Sequence, residues 1–134
     1  MYRSEPTYHN IYGFKTIDLI EKILPYTANK VINYSIGKMI EYALETDCVD
    51  QPIRHLEMIE WHTKRIQSIK VEKENNDITL DLSLFSELDK IRSMHKYMYC
   101  LVVYIIKYGY DPNEENFLGI KNYTRIVKGS YING

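Results

Sequence analysis

Four histidines are the first candidates for acid–base or metal chemistry in this sequence, because imidazole titrates near neutral pH and is a common metal ligand. They are His9, His55, His62 and His95. His55 and His62 stand seven residues apart on one face of a predicted helix, but the chain contains neither an HExxH pattern nor an ExxH pair. We therefore interpret them as surface histidines near a helix rim, and we predict neither a metal nor a cofactor.

His95 interrupts an otherwise apolar row of residues in the longest predicted helix. An imidazole buried there needs a hydrogen-bond partner, because an unpaired buried polar group destabilises the fold. We favour a core histidine whose hydrogen bonds are satisfied. The alternative is a histidine that lines the pocket of an enzyme of unfamiliar type, and it requires a nearby carboxylate or thiol.

The two cysteines, Cys48 and Cys100, are poor candidates for nucleophilic catalysis. Asp47 and Asp50 flank Cys48 and disfavour its thiolate, while Cys100 lies in an apolar run. The chain also has no glycine-rich phosphate loop, GxSxG elbow or paired CxxC motif, so we predict that it is not an enzyme. Two cysteines are too few for the disulfide framework of a small secreted domain, which favours a cytoplasmic location, in the host cell if the protein is viral.

Tyrosines are concentrated between residues 97 and 110, close to Lys96 and Lys107. Tyrosine is favoured in protein interfaces because it offers a large rigid contact with a polar tip, and its ring can also stack on nucleic-acid bases. The rings could instead fill the margin of the core and direct their hydroxyl groups to solvent. We predict a protein interface formed by Tyr97, Tyr104, Tyr108 and Tyr110.

Charge is distributed unevenly along the chain, although the formal net charge is only -1. Residues 1–89 carry 10 basic and 15 acidic side chains, whereas residues 90–134 carry 7 and 3. We favour attraction between the two halves, within the fold or across a homo-oligomer. The alternative is a basic surface for nucleic acid, formed by Arg92, Lys96, Lys121, Arg125 and Lys128.

A chain of 134 residues with 45% hydrophobic and 26% charged side chains is typical of one folded domain. We assign residues 1–134 to that domain, with residues 1–14 as an irregular N-terminal arm whose aromatic rings pack on the body. No apolar run approaches the roughly 20 residues of a membrane span, and we predict no membrane partner. The abundance of Ile, Lys, Asn and Tyr, against only two alanines, indicates a low-GC genome, such as that of a phage, a large DNA virus or a low-GC bacterium.

Hydrophobic periodicity predicts about five helices. The first begins at Thr16 and ends before Pro25, the second begins after Thr27 as its N-cap and reaches about Thr46, and Pro52 lies in the first turn of the third.

The longest helix is predicted from Asp81 to Gly109, because one row of residues recurs at spacings of four and three. That row consists of Leu84, Leu88, Ile91, His95, Met98, Val102 and Ile105. Asp111 as the N-cap and Pro112 then predict a closing helix that reaches about Lys128.

A β-hairpin is predicted between Ser68 and Leu82, where the hydrophobic period changes from about 3.6 residues to about 2. Two short alternating runs flank the polar residues 73–77, whose asparagines and aspartate favour a tight turn. The predicted fold is therefore mainly α, of the α+β class: a compact bundle of about five helices with one β-hairpin inserted before the longest helix.

The function predicted from these patterns is protein binding without catalysis. The protein would be a small binding module, such as a phage, viral or mobile-element factor that binds and inhibits a host protein, or a small subunit of an assembly. The alternative function is that of a helical nucleic-acid-binding accessory protein that uses the C-terminal basic residues.

Overall fold

The computed structural model describes residues 10–69 and 79–133, which contain six α-helices. The helices are α1 (Thr16–Ile23), α2 (Asn33–Leu44), α3 (Pro52–Ser68), α4 (Glu87–Met94), α5 (Lys96–Tyr110) and α6 (Glu114–Asn133). Single turns of 3₁₀ helix lie at Leu24–Tyr26, Lys30–Ile32, Thr46–Cys48 and Leu82–Leu84.

Four of the helices form a closed ring of contacts around one hydrophobic core. Helix α2 packs on α3, α3 on α6, α6 on α5 and α5 on α2, while α1 packs on α2 and α4 packs on α5. Helix α5 contributes most to the centre, because Leu101, Val102, Ile105 and Ile106 are all buried. Burying each such side chain contributes about 1.5–3 kcal/mol to folding before the entropy cost is counted.

The predicted β-hairpin and the α+β class are wrong, because the described residues contain helices and no strand. Ser68 is the last residue of α3, and Leu82 begins a 3₁₀ turn instead of ending a strand. The turn of the predicted hairpin and most of its first strand lie in residues 70–78, outside the described residues. Alternation over so few residues is a weak signal, because strand preference depends strongly on tertiary context.

The single long helix predicted from Asp81 to Gly109 is also wrong, because the chain breaks at His95. His95 is extended (φ −152°, ψ 94°), and its backbone N–H donates to the carbonyl of Ile91 at the end of α4. Its side-chain Nδ1 accepts the N–H of Met98 at 3.2 Å, which caps the start of α5. His95 is therefore a helix cap and not a core histidine within a continuous helix. The alternative of a histidine that lines a pocket stays a prediction.

The N-caps predicted for the second and the closing helix are also wrong. Helix α2 begins at Asn33, and its N-cap Ile32 makes no side-chain capping hydrogen bond. Asn29 caps the 3₁₀ turn before α2 by accepting the N–H of Val31 at 2.9 Å, while Thr27 bonds back to a carbonyl. Asn113, and not Asp111, caps α6, since its Oδ1 accepts the N–H of Asn116 at 2.8 Å. Asparagine side chains satisfy the first amide groups of a helix as well as the predicted residues would have done.

The described part of the predicted N-terminal arm packs on the helices. Tyr12 and Phe14 are buried, and Gly13 turns the chain between them with a φ of 89°. The side chain of Asn10 accepts the N–H of Tyr12 at 2.9 Å and donates to Thr16 Oγ1 at 3.2 Å. Residues 1–9, the rest of the predicted arm, lie outside the described residues.

The described helices also bear on the prediction that no membrane is involved. Within residues 10–69 and 79–133, no helix combines the length and the apolar character that crossing a bilayer requires.

Candidate functional site

The predicted tyrosine interface lies largely in the contact between α5 and α6, a region that we call the α5–α6 seam: Tyr97, Cys100, Tyr104, Gly119 and Tyr123. The rings of Tyr104 and Tyr123 are stacked, with centroids 5.6 Å apart and an interplanar angle of 19°. A Cβ atom at Gly119 would overlap the ring of Tyr104, so the absence of a side chain there admits the ring. Much of the surface of the Tyr104 ring thus packs against α6.

The other predicted tyrosines differ in how far they are exposed. Tyr108 is only 6% exposed, and burial, together with the carboxylate of Glu114, raises the pKa of its phenol. Tyr97 is 46% exposed at the edge of the seam, whereas Tyr110 is half-buried near the end of α5. Of the four predicted interface residues, Tyr97 offers the largest exposed fraction to a partner.

The five basic residues predicted for nucleic acid lie on three helices and are Arg92, Lys96, Lys121, Arg125 and Lys128. The last three share one stripe of α6, since they are spaced four and three apart. Within the described part of the chain, two of the five pair with acids: Lys128 Nζ lies 3.1 Å from Glu60, and Arg92 Nη2 lies 3.0 Å from Asp89. The Lys128–Glu60 pair joins the basic and acidic halves of the chain.

A surface that the sequence analysis missed lies on α2 and α3. We call it the α2–α3 face and define it by Tyr34, Lys38 and Tyr42 of α2 with Met58, Trp61, His62 and Arg65 of α3. Tyr34 is 64% exposed and Trp61 is 55% exposed, and Met58 beside them is also exposed. Among the described residues, Tyr34 and Trp61 are the two aromatic side chains with the largest exposed fractions.

His62 lies at the centre of the α2–α3 face and is only 2% exposed. Its Nδ1 is 2.9 Å from the hydroxyl of Ser35, and Arg65 donates to the same hydroxyl oxygen at 2.8 Å. The rings of Trp61, Tyr34 and Tyr42 surround the imidazole, with centroids at 4.8, 5.8 and 6.1 Å. The prediction of a surface histidine is therefore wrong for His62.

Burial lowers the pKa of His62, and the neighbouring cations of Arg65 and Lys38 lower it further. The imidazole is therefore neutral at pH 7, which leaves Nδ1 able to accept the hydroxyl hydrogen of Ser35. Because Arg65 already donates to the Ser35 oxygen, this arrangement gives each of the three polar groups a partner.

The hydroxyl of Ser35 has no exposed surface and is already held by both His62 and Arg65. In residues 10–69 and 79–133, no group of three or more His, Cys, Asp or Glu side chains is arranged to hold a metal ion. His55 is half-buried, with Nδ1 3.2 Å from the carbonyl of Tyr42. The polar groups of this region therefore organise packing, and its exposed aromatic rings are free for contact.

One sequence signal could have identified the α2–α3 face. Trp61 is the chain's only tryptophan, and it lies outside the inward row of α3 that contains Leu56, Ile59 and Ile66. A tryptophan on the polar side of an amphipathic helix is unusual, because it leaves a large apolar ring in water.

Comparison of this chain with protein-family models, with curated proteins and with solved structures finds no match. We therefore infer its function from its own residues.

Proposed function

We propose that this chain is a protein-binding module whose contact surface is the α2–α3 face. The observation that supports the proposal is the exposure of Trp61 and Tyr34 on either side of a buried histidine. Tryptophan, tyrosine, methionine and arginine are the residues most enriched in protein interfaces, and all four are present here.

The rings of this face are held in place before a partner arrives. The rings of Trp61 and His62 form a T-shaped pair with an interplanar angle of 89°, and His62 is fixed in turn by Ser35. Ordering a free side chain on binding costs about 0.5–1.5 kcal/mol, so restrained rings lose less free energy when they bind. Pre-organisation of this kind favours Trp61 as the centre of a contact.

A polar rim borders the aromatic rings. Lys38 and Glu41 form an ion pair at 2.8 Å, and Lys38 Nζ lies 5.3 Å from the ring centroid of Tyr42. Apolar centres with polar rims are the usual anatomy of protein interfaces, because the rim excludes water from the central contact. The α2–α3 face has that arrangement on a small scale.

The predicted tyrosine interface stays a prediction. Fewer of its rings are available to a partner, since Tyr108 is buried and Tyr104 is stacked on Tyr123. Nucleic-acid binding by the basic residues of α4, α5 and α6 also stays a prediction. A salt-sensitive shift of labelled single-stranded DNA or RNA, reduced by neutralising Lys121 and Arg125, would support it.

Site-specific cross-linking tests the proposed surface directly. A benzophenone amino acid replaces Met58 on the α2–α3 face or, as the matched control, the equally exposed Leu118 on α6. In cells that produce the protein, we expect one cross-linked partner from position 58, lost when Trp61→Ala is added, and none from position 118. Cross-linking from position 118 alone would place the contact on α6 and would contradict the proposal.

A further inference from the structure

A cleft between α3 and α6 lies on the opposite flank of α3 from the α2–α3 face. It encloses about 250 Å³ and is lined by Glu60, Thr63, Lys64, Gln67, Phe117, Lys121 and Thr124. Residues spaced three and four apart on each helix form its two walls, so both helices present one stripe to the cleft.

The cleft carries more positive than negative charge. Lys64 of α3 and Lys121 of α6 have no acidic partner within the part of the chain that the structure describes. Glu60 stands one turn before Lys64, where the two could pair along α3, but its carboxylate bonds to Lys128 of α6 at 3.1 Å instead. The lining of the cleft therefore contains two lysines, Lys64 and Lys121, and one carboxylate, Glu60, which is held by Lys128.

The floor of the cleft offers few hydrogen-bond donors of its own. The hydroxyl groups of Thr63 and Thr124 each donate at 2.7 Å to a carbonyl of their own helix. Phe117 is buried, and Lys121 Nζ lies 5.6 Å from its ring centroid. The remaining donors are the ammonium groups and the side-chain amide of Gln67, which together suit an anion.

We propose that this cleft binds a phosphate group, either as free phosphate or as the phosphomonoester of a small molecule. Phosphate carries about −1.5 to −2 charges near pH 7, so Lys64 and Lys121 on opposite walls attract it more strongly than a singly charged carboxylate. The volume equals that of about eight water molecules at roughly 30 Å³ each, which accommodates a phosphate and a short carbon skeleton.

Titration with inorganic phosphate, followed by amide chemical shifts of the full chain, tests the proposal. We expect saturating shifts at Lys64, Gln67 and Lys121, and no such shifts with sodium chloride at the same ionic strength. Lys64→Gln and Lys121→Gln should each weaken phosphate binding by about threefold or more, since each removes one unit charge at contact distance. The matched control is Lys90→Gln, an exposed lysine on α4 that should leave binding unchanged.

Replacing Glu60 should strengthen phosphate binding, whereas replacing either lysine should weaken it. Glu60→Gln removes the one carboxylate of the cleft and releases Lys128, so it should tighten phosphate binding by about threefold. Trp61→Ala should leave phosphate binding unchanged, because it lies on the other flank of α3, and so the result does not depend on the proposed protein contact. Shifts that are equal in phosphate and chloride, or that Lys90→Gln reduces as strongly as Lys121→Gln, would overturn the proposal.

A second ligand distinguishes the two sources of phosphate. Tighter binding of glycerol 3-phosphate than of inorganic phosphate would identify a phosphomonoester as the ligand of the cleft. Equal affinities would identify free phosphate, and both outcomes require the same lysines.

Discussion

The α2–α3 face and the α5–α6 seam contain similar aromatic residues but position them in opposite ways. In the seam, Gly119 leaves room for the ring of Tyr104, which packs between the helices against Tyr123. On the α2–α3 face, the buried imidazole of His62 occupies the space between the helices, and Trp61 and Tyr34 remain outside it. The residue at the helix contact thus decides whether neighbouring rings stabilise the fold or stay available to a partner.

Enlarging Gly119 should break the seam and have the largest effect. The new Cβ of Gly119→Ala would overlap the ring of Tyr104, so we expect a loss of about 2–3 kcal/mol in the free energy of unfolding. Urea denaturation measures it. Gly129→Ala on the same helix is the matched control, because it meets nothing within 4 Å, and it should stabilise the fold by about 0.5–1 kcal/mol. Equal stabilities of Gly119→Ala and the unmodified chain would show that Tyr104 does not occupy this space.

Removing the exposed indole of Trp61 should weaken partner binding strongly and lower the stability of the fold only slightly. Trp61→Ala should weaken partner binding by about 2 kcal/mol or more, roughly 30-fold, whereas it should lower the free energy of unfolding by about 1 kcal/mol or less. Calorimetry with the partner that cross-linking identifies gives the binding free energy, and urea denaturation gives the free energy of unfolding. Tyr97→Ala is the control in the seam, and an equal loss of binding in both variants would remove the distinction between the two regions.

Lowering the pH should destabilise the packing of His62 beneath the α2–α3 face, and it should leave the α5–α6 seam unaffected. The folded chain lowers the pKa of His62 below the value of about 6.5 expected when unfolded, so the unfolded chain binds more protons in this range. The contribution of neutral His62 to stability is therefore complete above about pH 7 and decreases as the pH falls through 6.5 towards 5.

Urea denaturation across this pH range measures the effect, and His62→Gln is its control. We expect the variant to show a smaller change in the free energy of unfolding between pH 7 and pH 5 than the unmodified chain. An identical pH dependence in both would mean that His62 is not the group responsible.

The smallest effect is expected for the hydroxyl of Tyr104. Because the contact with Tyr123 is made by the ring, Tyr104→Phe should change the free energy of unfolding by less than about 0.5 kcal/mol and leave partner binding intact. A larger loss, measured by urea denaturation, would show that the hydroxyl group takes part in the seam.

The sequence predicted the regular helices better than the points at which a helix is interrupted. Regular spacing of apolar residues correctly indicated α1, α2 and α3, and the region after Asp111 was correctly predicted to begin the closing helix. At His95 the same spacing misled, because a histidine that caps a new helix and one buried within a continuous helix occupy the same place in the pattern.

The candidate site was harder to predict because it depends on which helices become neighbours. Trp61 and His62 are adjacent in sequence, yet one is exposed and the other buried, since α2 covers only one side of α3. The tyrosines of α5 appeared to form one surface, but the approach of α6 through Gly119 covers Tyr104. Such contacts between distant residues have no periodic signal in the sequence.

Fluorine NMR of the chain labelled with 5-fluorotryptophan tests the central claim most directly, because Trp61 gives the only signal. We predict that the resonance of the isolated chain shows a solvent isotope shift, as expected for an exposed indole. In complex with its partner, the resonance should move and lose most of that isotope shift. A complex in which position and isotope shift are unchanged would contradict the assignment of the α2–α3 face as the binding surface.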